Sequence, residues 1–142
     1  LGNPMSLTKD EINIWEKKNI VTFFGYSENI IKIINQSKIV VLPSYREGMP
    51  KILLEAAACE RAIITTDVPG CRDAIIPNKT GLLIKPRDVY SLVVAIEKLI
   101  FDNNLCMSMG KEGRKFAENK FSINDVISSH LNVYKLLQKR LD

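Results

Sequence analysis

Four short runs rich in β-branched and large apolar residues, Ile20 to Phe24, Lys38 to Leu42, Ala62 to Thr66 and Gly81 to Ile84, limit what this chain can become. Each is continuous rather than alternating. That is the pattern of a strand buried on both faces, and it points to a parallel sheet. Helix-forming segments separate the runs: about Glu28 to Gln36, Pro50 to Glu60, and a short turn or helix around Cys71 to Ile75. Strands alternating with helices predict an α/β fold, a Rossmann-like parallel sheet with flanking helices.

The rest of the chain is expected to be helical. Asp88 is suited to cap a helix in which Val89, Leu92, Val93, Ile96, Leu99 and Ile100 recur at the helical period. A second helix is expected over Leu105 to Asn119, made less regular by Gly110 and Gly113. A last one should open on Ser122 and Asp125, a variant capping box, and run to about Arg140. Its apolar face would hold Ile123, Ile127, Leu131, Tyr134 and Leu141, with His130 packing near it. Ahead of the first apolar run, "LTKDEINIWEKK" reads as a helix after the turn-like Gly2-Asn3-Pro4.

A chain of 142 residues, 46% hydrophobic and 25% charged, is enough for one domain with a real core. Four strands are few for a doubly wound domain, and Leu1 stands where an initiator methionine would be. The expectation is one domain, 1–142, cut from a longer protein and short of sheet on its N-terminal side. The apolar runs are too short to span a bilayer, and no basic segment leads into a signal-type stretch. Cys59, Cys71 and Cys106 form no CxxC pair and are odd in number, which predicts reduced thiols and a cytoplasmic setting. In that setting the sequon matches at Asn35 and Asn78 are coincidental. The net charge of +4 suits an anionic small molecule or an anionic membrane surface. Nucleic acid is disfavoured, because no basic helix is interleaved with stacking aromatics.

Ligands of open parallel sheets bind beyond the carboxyl ends of the strands. Three unusual loops are expected there, Gly25-Tyr26-Ser27, Pro43 to Gly48 and Asp67 to Gly70, sharing one crevice. Gly48 would let backbone approach a ligand, and Pro50 suits the first turn of a helix. The N–H groups of Met49, Lys51 and Ile52 would then form an anion site backed by the helix dipole. Two carboxylates flank it: Glu47 in the loop and Glu55 inside an otherwise apolar helix. A glycosidase acid and base pair is disfavoured, since a helix N-terminus lies between them. Recognition of polyol hydroxyls fits better. The competing expectations are an ion pair from Glu55 to Arg61, Arg72 or Arg87, and a merely exposed loop acid at Glu47. The chain offers no metal-ligand spacing, no serine nucleophile with a histidine in context, and no P-loop, since "GKEGRK" has the wrong spacing. A flavodoxin-like domain would need an acidic phospho-acceptor cluster or a Gly/Ser/Thr-rich phosphate loop, and neither is present.

The segment "IVVLPSYREGMPKILLEAAACERAIITTDVPGCRDAI" resembles the C-terminal, donor-binding domain of the retaining glycosyltransferases of family 4, or group 1, with its E-x7-E motif at Glu47 and Glu55. "VTFFGYSENIIKIINQSKIVVLPS", "NKTGLLIKPRD" and "MGKEGRKFAENKFS" extend the resemblance over about Gly2 to Tyr134. "GNP", "LPSYREG" and "TTDVPGCRD" look most like enzymes of capsule, O-antigen or lipid-linked oligosaccharide synthesis. The resemblance implies one half of a GT-B fold. It also implies transfer of a hexosyl- or N-acetylhexosaminyl-type sugar, with retention, from a nucleoside diphosphate sugar, most often a UDP-sugar, without a required cofactor or metal.

On that reading Glu47 acts catalytically against the donor sugar, Gly48, Met49, Pro50 and Lys51 line sugar and diphosphate, Glu55 holds the ribose, and Tyr26 and Ser27 meet the base. The last helix would cross to the N-terminal acceptor domain. A polyprenyl-linked acceptor would bring the protein to the inner face of the cytoplasmic membrane. The acceptor domain is missing, as are the basic residues that steady the leaving diphosphate. The chain alone is therefore expected to bind donor weakly and not to turn over, and a non-catalytic nucleotide- or sugar-binding module is the alternative. Where the family has a helix-ending Gly, this chain has Glu60, which must avoid or tolerate a left-handed backbone.

Overall fold

The computed structural model describes residues 7–138. The Gly2-Asn3-Pro4 turn and the end of the last helix at Arg140 and Leu141 lie outside the described residues. The chain divides between Ile30 and Ile31 into two compact units.

In the first unit, helix α1 (Lys9–Lys17) starts on a complete capping box: the Thr8 hydroxyl accepts from the Glu11 N–H, and the Glu11 carboxylate accepts from the Thr8 N–H at 2.8 Å. The Thr8 N–H and the Thr8 hydroxyl, both donating to the Glu11 carboxylate, hold it below its ordinary range, the backbone donor first. The run Ile20 to Phe24 is not a strand, which corrects the sequence reading. A strand needs a neighbour to satisfy its backbone, and the unit supplies a side chain instead: the Phe23 N–H donates to Glu16 Oε1 at 2.8 Å.

Helix α2 (Ile30–Gln36) starts two residues later than expected and leads into the second unit. There β1 (Ile39–Leu42), β2 (Ala62–Thr66) and β3 (Gly81–Ile84) form a parallel sheet in the order β1-β2-β3. Val40 faces Ile63 across the first ladder, and Ile64 faces Leu82 across the second. All five residues of β2 are buried, as the continuous apolar run predicts for a central parallel strand. On one face Ile63 joins Leu53, Ala56 and Ala57 of α3 (Lys51–Ala58); on the other, Ala62 and Ile64 join Ala95 and Leu99 of α4 (Val89–Phe101). Helix α5 (Asn103–Lys120) serves both faces, giving Cys106 and Met109 to one cluster and Ala117 to the other. Asp88 caps α4 through Ser91, and a 3-10 turn (Arg72–Ala74) follows β2. The three cysteines are free, and burial pushes the Cys106 thiol up.

Glu60 tolerates what the sequence said it must. Its φ is +57°, and α3 ends in a Schellman pair, Glu60 N–H to Ala57 O at 3.0 Å and Arg61 N–H to Ala56 O at 2.9 Å. The Arg114 guanidinium donates to the Ala58 carbonyl as well. Glu60→Gly removes a β-carbon from the left-handed region. It should raise stability by about 1 kcal/mol, read as a midpoint of thermal unfolding higher by roughly 2–4 °C.

Helix α6 (Ile123–Gln138) opens with the Ser122 carbonyl accepting from Asp125 and Val126. None of its described residues is buried. His130, expected to pack, is exposed, with Nδ1 2.8 Å from the Val126 carbonyl oxygen one turn back. Its helix has nothing against that face among the described residues, so the apolar stripe alone could not bury it.

Candidate functional site

The carboxyl ends of β1 and β2 carry two of the three loops that the sequence singled out; the third, Gly25-Tyr26-Ser27, follows no strand and belongs to the first unit. After β1, Pro43 to Gly48 leads to a buried Pro50, which occupies the N-cap of α3 rather than its first turn, with φ −72° and ψ 112°. No side chain caps this end and no acid lies in the first turn. The N–H groups of Lys51 and Ile52 are therefore left facing outward with the positive end of the helix dipole behind them. Lys51 and Met49 are exposed beside them. Gly48 is open: a β-carbon there would meet nothing within 4 Å.

Glu47 is half-buried and is held, not free: the Ser44 hydroxyl donates to Glu47 Oε1 at 2.6 Å. Ser44 is held in turn, because the Thr66 hydroxyl at the end of β2 donates to the Ser44 carbonyl. One residue earlier the Thr65 hydroxyl donates to the Leu42 carbonyl at 2.9 Å. Two threonines at the end of an otherwise apolar strand were the sequence signal for these ties, but their acceptors lie more than twenty residues away. Gly70, in the turn after β2, has φ +82° and packs against the Glu47–Gly48 peptide, where a β-carbon would fall 1.3 Å from the Gly48 carbonyl oxygen. An Asp67–Arg72 ion pair and a Gly70 N–H bond to Asp73 at 3.2 Å hold that turn.

Glu55 lies one turn inside α3, half-buried. It lines a cleft of about 600 Å³ with Leu54, Ala58, Arg114, Phe121 and Ile123. Among the described residues its carboxylate has no hydrogen bond or ion pair. The three arginines proposed as partners are engaged elsewhere: Arg61 donates to the Ser37 carbonyl at 3.3 Å, Arg72 pairs with Asp67, and Arg87 stacks over the Tyr45 ring at 5.3 Å. Arg87 and Lys85, in the loop after β3, border a smaller cleft of about 180 Å³ with Pro43, Tyr45 and Thr66. The sequence did not place that loop at the crevice.

The loop and α3 thus bring Glu47, Gly48, Met49, Pro50, Lys51 and Glu55 onto one strand-to-helix connection. Tyr26 and Ser27 belong to the first unit, where Tyr26 is exposed and the Ser27 hydroxyl accepts from the Asn29 N–H at 3.2 Å. Among the described residues no group of three His, Cys, Asp or Glu could hold a metal, and no helix is long and apolar enough to cross a membrane.

The family model "Glycosyl transferases group 1" matches residues 6–116. The chain is 35% identical over 113 residues to the capsular polysaccharide biosynthesis glycosyltransferase CapM of Staphylococcus aureus, covering 80% of this chain and 30% of that protein. It is 31% identical over 121 residues to the N,N'-diacetylbacillosaminyl-diphospho-undecaprenol alpha-1,3-N-acetylgalactosaminyltransferase of Campylobacter jejuni, covering 85% of this chain and 32% of that protein. Its fold superposes with a TM-score of 0.81 on S. aureus TarM, solved as a mutant with fondaparinux, alpha-GlcNAc-glycerol and UDP, at 26% identity over 91% of this chain and 27% of that one. The chain spans about a third of the length of these relatives.

Proposed function

Since the chain belongs to the group 1 glycosyl transferases, we propose that it forms the donor-binding part of an enzyme that moves a sugar, with retention, from a nucleoside diphosphate sugar to a polysaccharide or lipid-linked acceptor. Its parallel sheet with flanking helices is the architecture of one half of a GT-B enzyme. The observation that carries the reading is Glu55: a half-buried carboxylate in a cleft, without a partner among the described residues, one turn past an uncapped helix N-terminus. A half-buried carboxylate facing a cleft has acceptor capacity to spare, and a pair of ligand hydroxyls can fill it.

Glu55 accepts from the vicinal hydroxyls of the ribose, its two oxygens matching two donors. The diphosphate takes the N–H groups at the start of α3, and Lys51 adds charge there. The open side of Gly48 admits the sugar, whose hydroxyls donate to Glu47, and Met49 and Pro50 complete the wall. UDP is the nucleotide of choice, in keeping with the TarM complex. The relatives named for capsule and diphospho-undecaprenol chemistry support a polyprenyl-linked acceptor, and with it work at the cytoplasmic membrane face and a hexosyl or N-acetylhexosaminyl donor.

Calorimetric titration tests this. UDP should bind, and Glu55→Ala should weaken it at least tenfold, about 1.4 kcal/mol. Because Glu55 has no hydrogen bond or ion pair to lose among the described residues, the unfolding midpoint should not fall. Unchanged affinity in the variant overturns the role of Glu55. No binding of UDP, UDP-glucose or UDP-N-acetylglucosamine by the parent chain overturns the donor reading.

A further inference from the structure

Glu47 sits on a loop, yet its position is dictated from another strand. The Thr66 hydroxyl, 1% exposed with its residue, reaches the Ser44 carbonyl. The Ser44 hydroxyl reaches the Glu47 carboxylate at 2.6 Å. Four residues beyond Thr66, Gly70 closes the far side by lying directly on the Gly48 carbonyl. A free loop carboxylate would sample many rotamers; this one is bonded at its tip and supported at its own peptide.

We propose that the end of β2 and the turn after it position Glu47 for the donor sugar, with Thr66, Ser44 and Gly70 as positioning residues. The inference rests on the donor reading and deepens it, since it assigns to β2 the part of affinity that distinguishes a nucleotide sugar from the bare nucleotide. Two features single out Gly70. Its φ of +82° is a conformation that L side chains rarely adopt, and its contact is with backbone, at 1.3 Å from the oxygen and 2.5 Å from the carbon of Gly48, so no side chain can move aside. An added methyl must push the Glu47–Gly48 peptide away or break the turn held by Asp73 and by the Asp67–Arg72 pair. Glu55, by contrast, stands on α3 and touches none of these groups.

The consequence is a separation of two affinities. In Gly70→Ala and in Ser44→Ala, the affinity for whichever of UDP-glucose and UDP-N-acetylglucosamine binds the parent chain should fall at least fivefold relative to the affinity for UDP. Affinity for UDP alone should change by less than twofold. Ser44→Thr, which keeps a hydroxyl, should restore most of the difference. A general loss of fold would lower UDP and UDP-sugar together, so the ratio isolates positioning from stability.

An unchanged ratio in Ser44→Ala and in a folded Gly70→Ala overturns the inference. Should Gly70→Ala not fold, Ser44→Ala and Ser44→Thr decide it, and an unchanged ratio in Ser44→Ala again overturns it. A ratio that falls in Ser44→Ala but not in a folded Gly70→Ala removes Gly70 from the set. A parent chain that binds UDP but neither UDP-sugar overturns the sugar-facing role of Glu47 and this inference with it. If the parent binds none of the three, the donor reading itself fails, a distinct outcome.

Discussion

Gly110→Ala should lower the stability of the chain by about 2 kcal/mol, and Gly113→Ala, one turn along the same helix, should raise it by up to about 1 kcal/mol. The opposite signs follow from what stands beside each glycine. A β-carbon at 110 would lie 2.1 Å from the Glu60 carbonyl oxygen and 2.8 Å from its carbon. Those backbone atoms are fixed, because Glu60 is the left-handed residue of the Schellman pair and its N–H is spent on Ala57. Helices α3 and α5 must part to admit a methyl, and overpacking of this kind costs about 1–3 kcal/mol, more than the roughly 1 kcal/mol that helix propensity returns. At 113 the nearest atoms are the Cα and Cβ of Ala57 at 3.7 Å, an ordinary contact, so only the propensity gain remains. Thermal unfolding should show the Gly110 variant lower by roughly 4–8 °C and the Gly113 variant higher by roughly 1–3 °C. A rise at 110 would refute the close approach of the two helices.

Thr66→Val should cost about 1–3 kcal/mol although it changes the shape hardly at all. The hydroxyl is the whole difference. Thr66 is 1% exposed, and the half-buried Ser44 would lose the donor to its carbonyl. Thr66→Ser retains the donor and should recover most of the loss. Urea unfolding reads both, and a valine variant as stable as its parent would mean that Ser44 finds another donor. The same variant should loosen the hold on Glu47, so its fall in UDP-sugar affinity should exceed its fall in UDP affinity.

Much of this was legible in the chain because it is decided locally. Continuous apolar runs found β1, β2 and β3, Asp88 announced the start of α4, and the absence of a glycine at position 60 flagged a helix end where a side chain stands on a left-handed backbone. Features that depend on a distant neighbour were not legible. Ile20 to Phe24 has the composition of a strand, but pairing needs a second strand, and the Phe23 N–H goes to Glu16 instead. The stripe on α6 predicted burial for His130, and burial needs an opposing surface. Gly70 and Gly110 are plain glycines in sequence; only the carbonyls of Gly48 and Glu60 beside them explain why no larger residue fits. Glu55 could be seen as out of place, whereas its having no ion pair among the described residues had to be found in three dimensions.

Because the three strands run the same way, the chain keeps two kinds of connection at opposite ends of the sheet. Connections leaving the strands hold Glu47, Gly48, Gly70, Lys85 and Arg87. Those entering them hold Ser37, Glu60, Arg61 and Lys79, and these are tied down by the Arg61 bond to Ser37, by Gly110 under Glu60, and by Lys79 with Glu112 at 3.4 Å. There the Lys115 and Lys79 ammonium groups hold the Glu112 carboxyl below its usual range, Lys115 first. One rim of the sheet is an anchor and the other a workbench. On the proposed donor-binding reading, selection can therefore retool the chain for a new donor at the leaving ends, by loop changes that leave the anchored rim and its contribution to folding untouched.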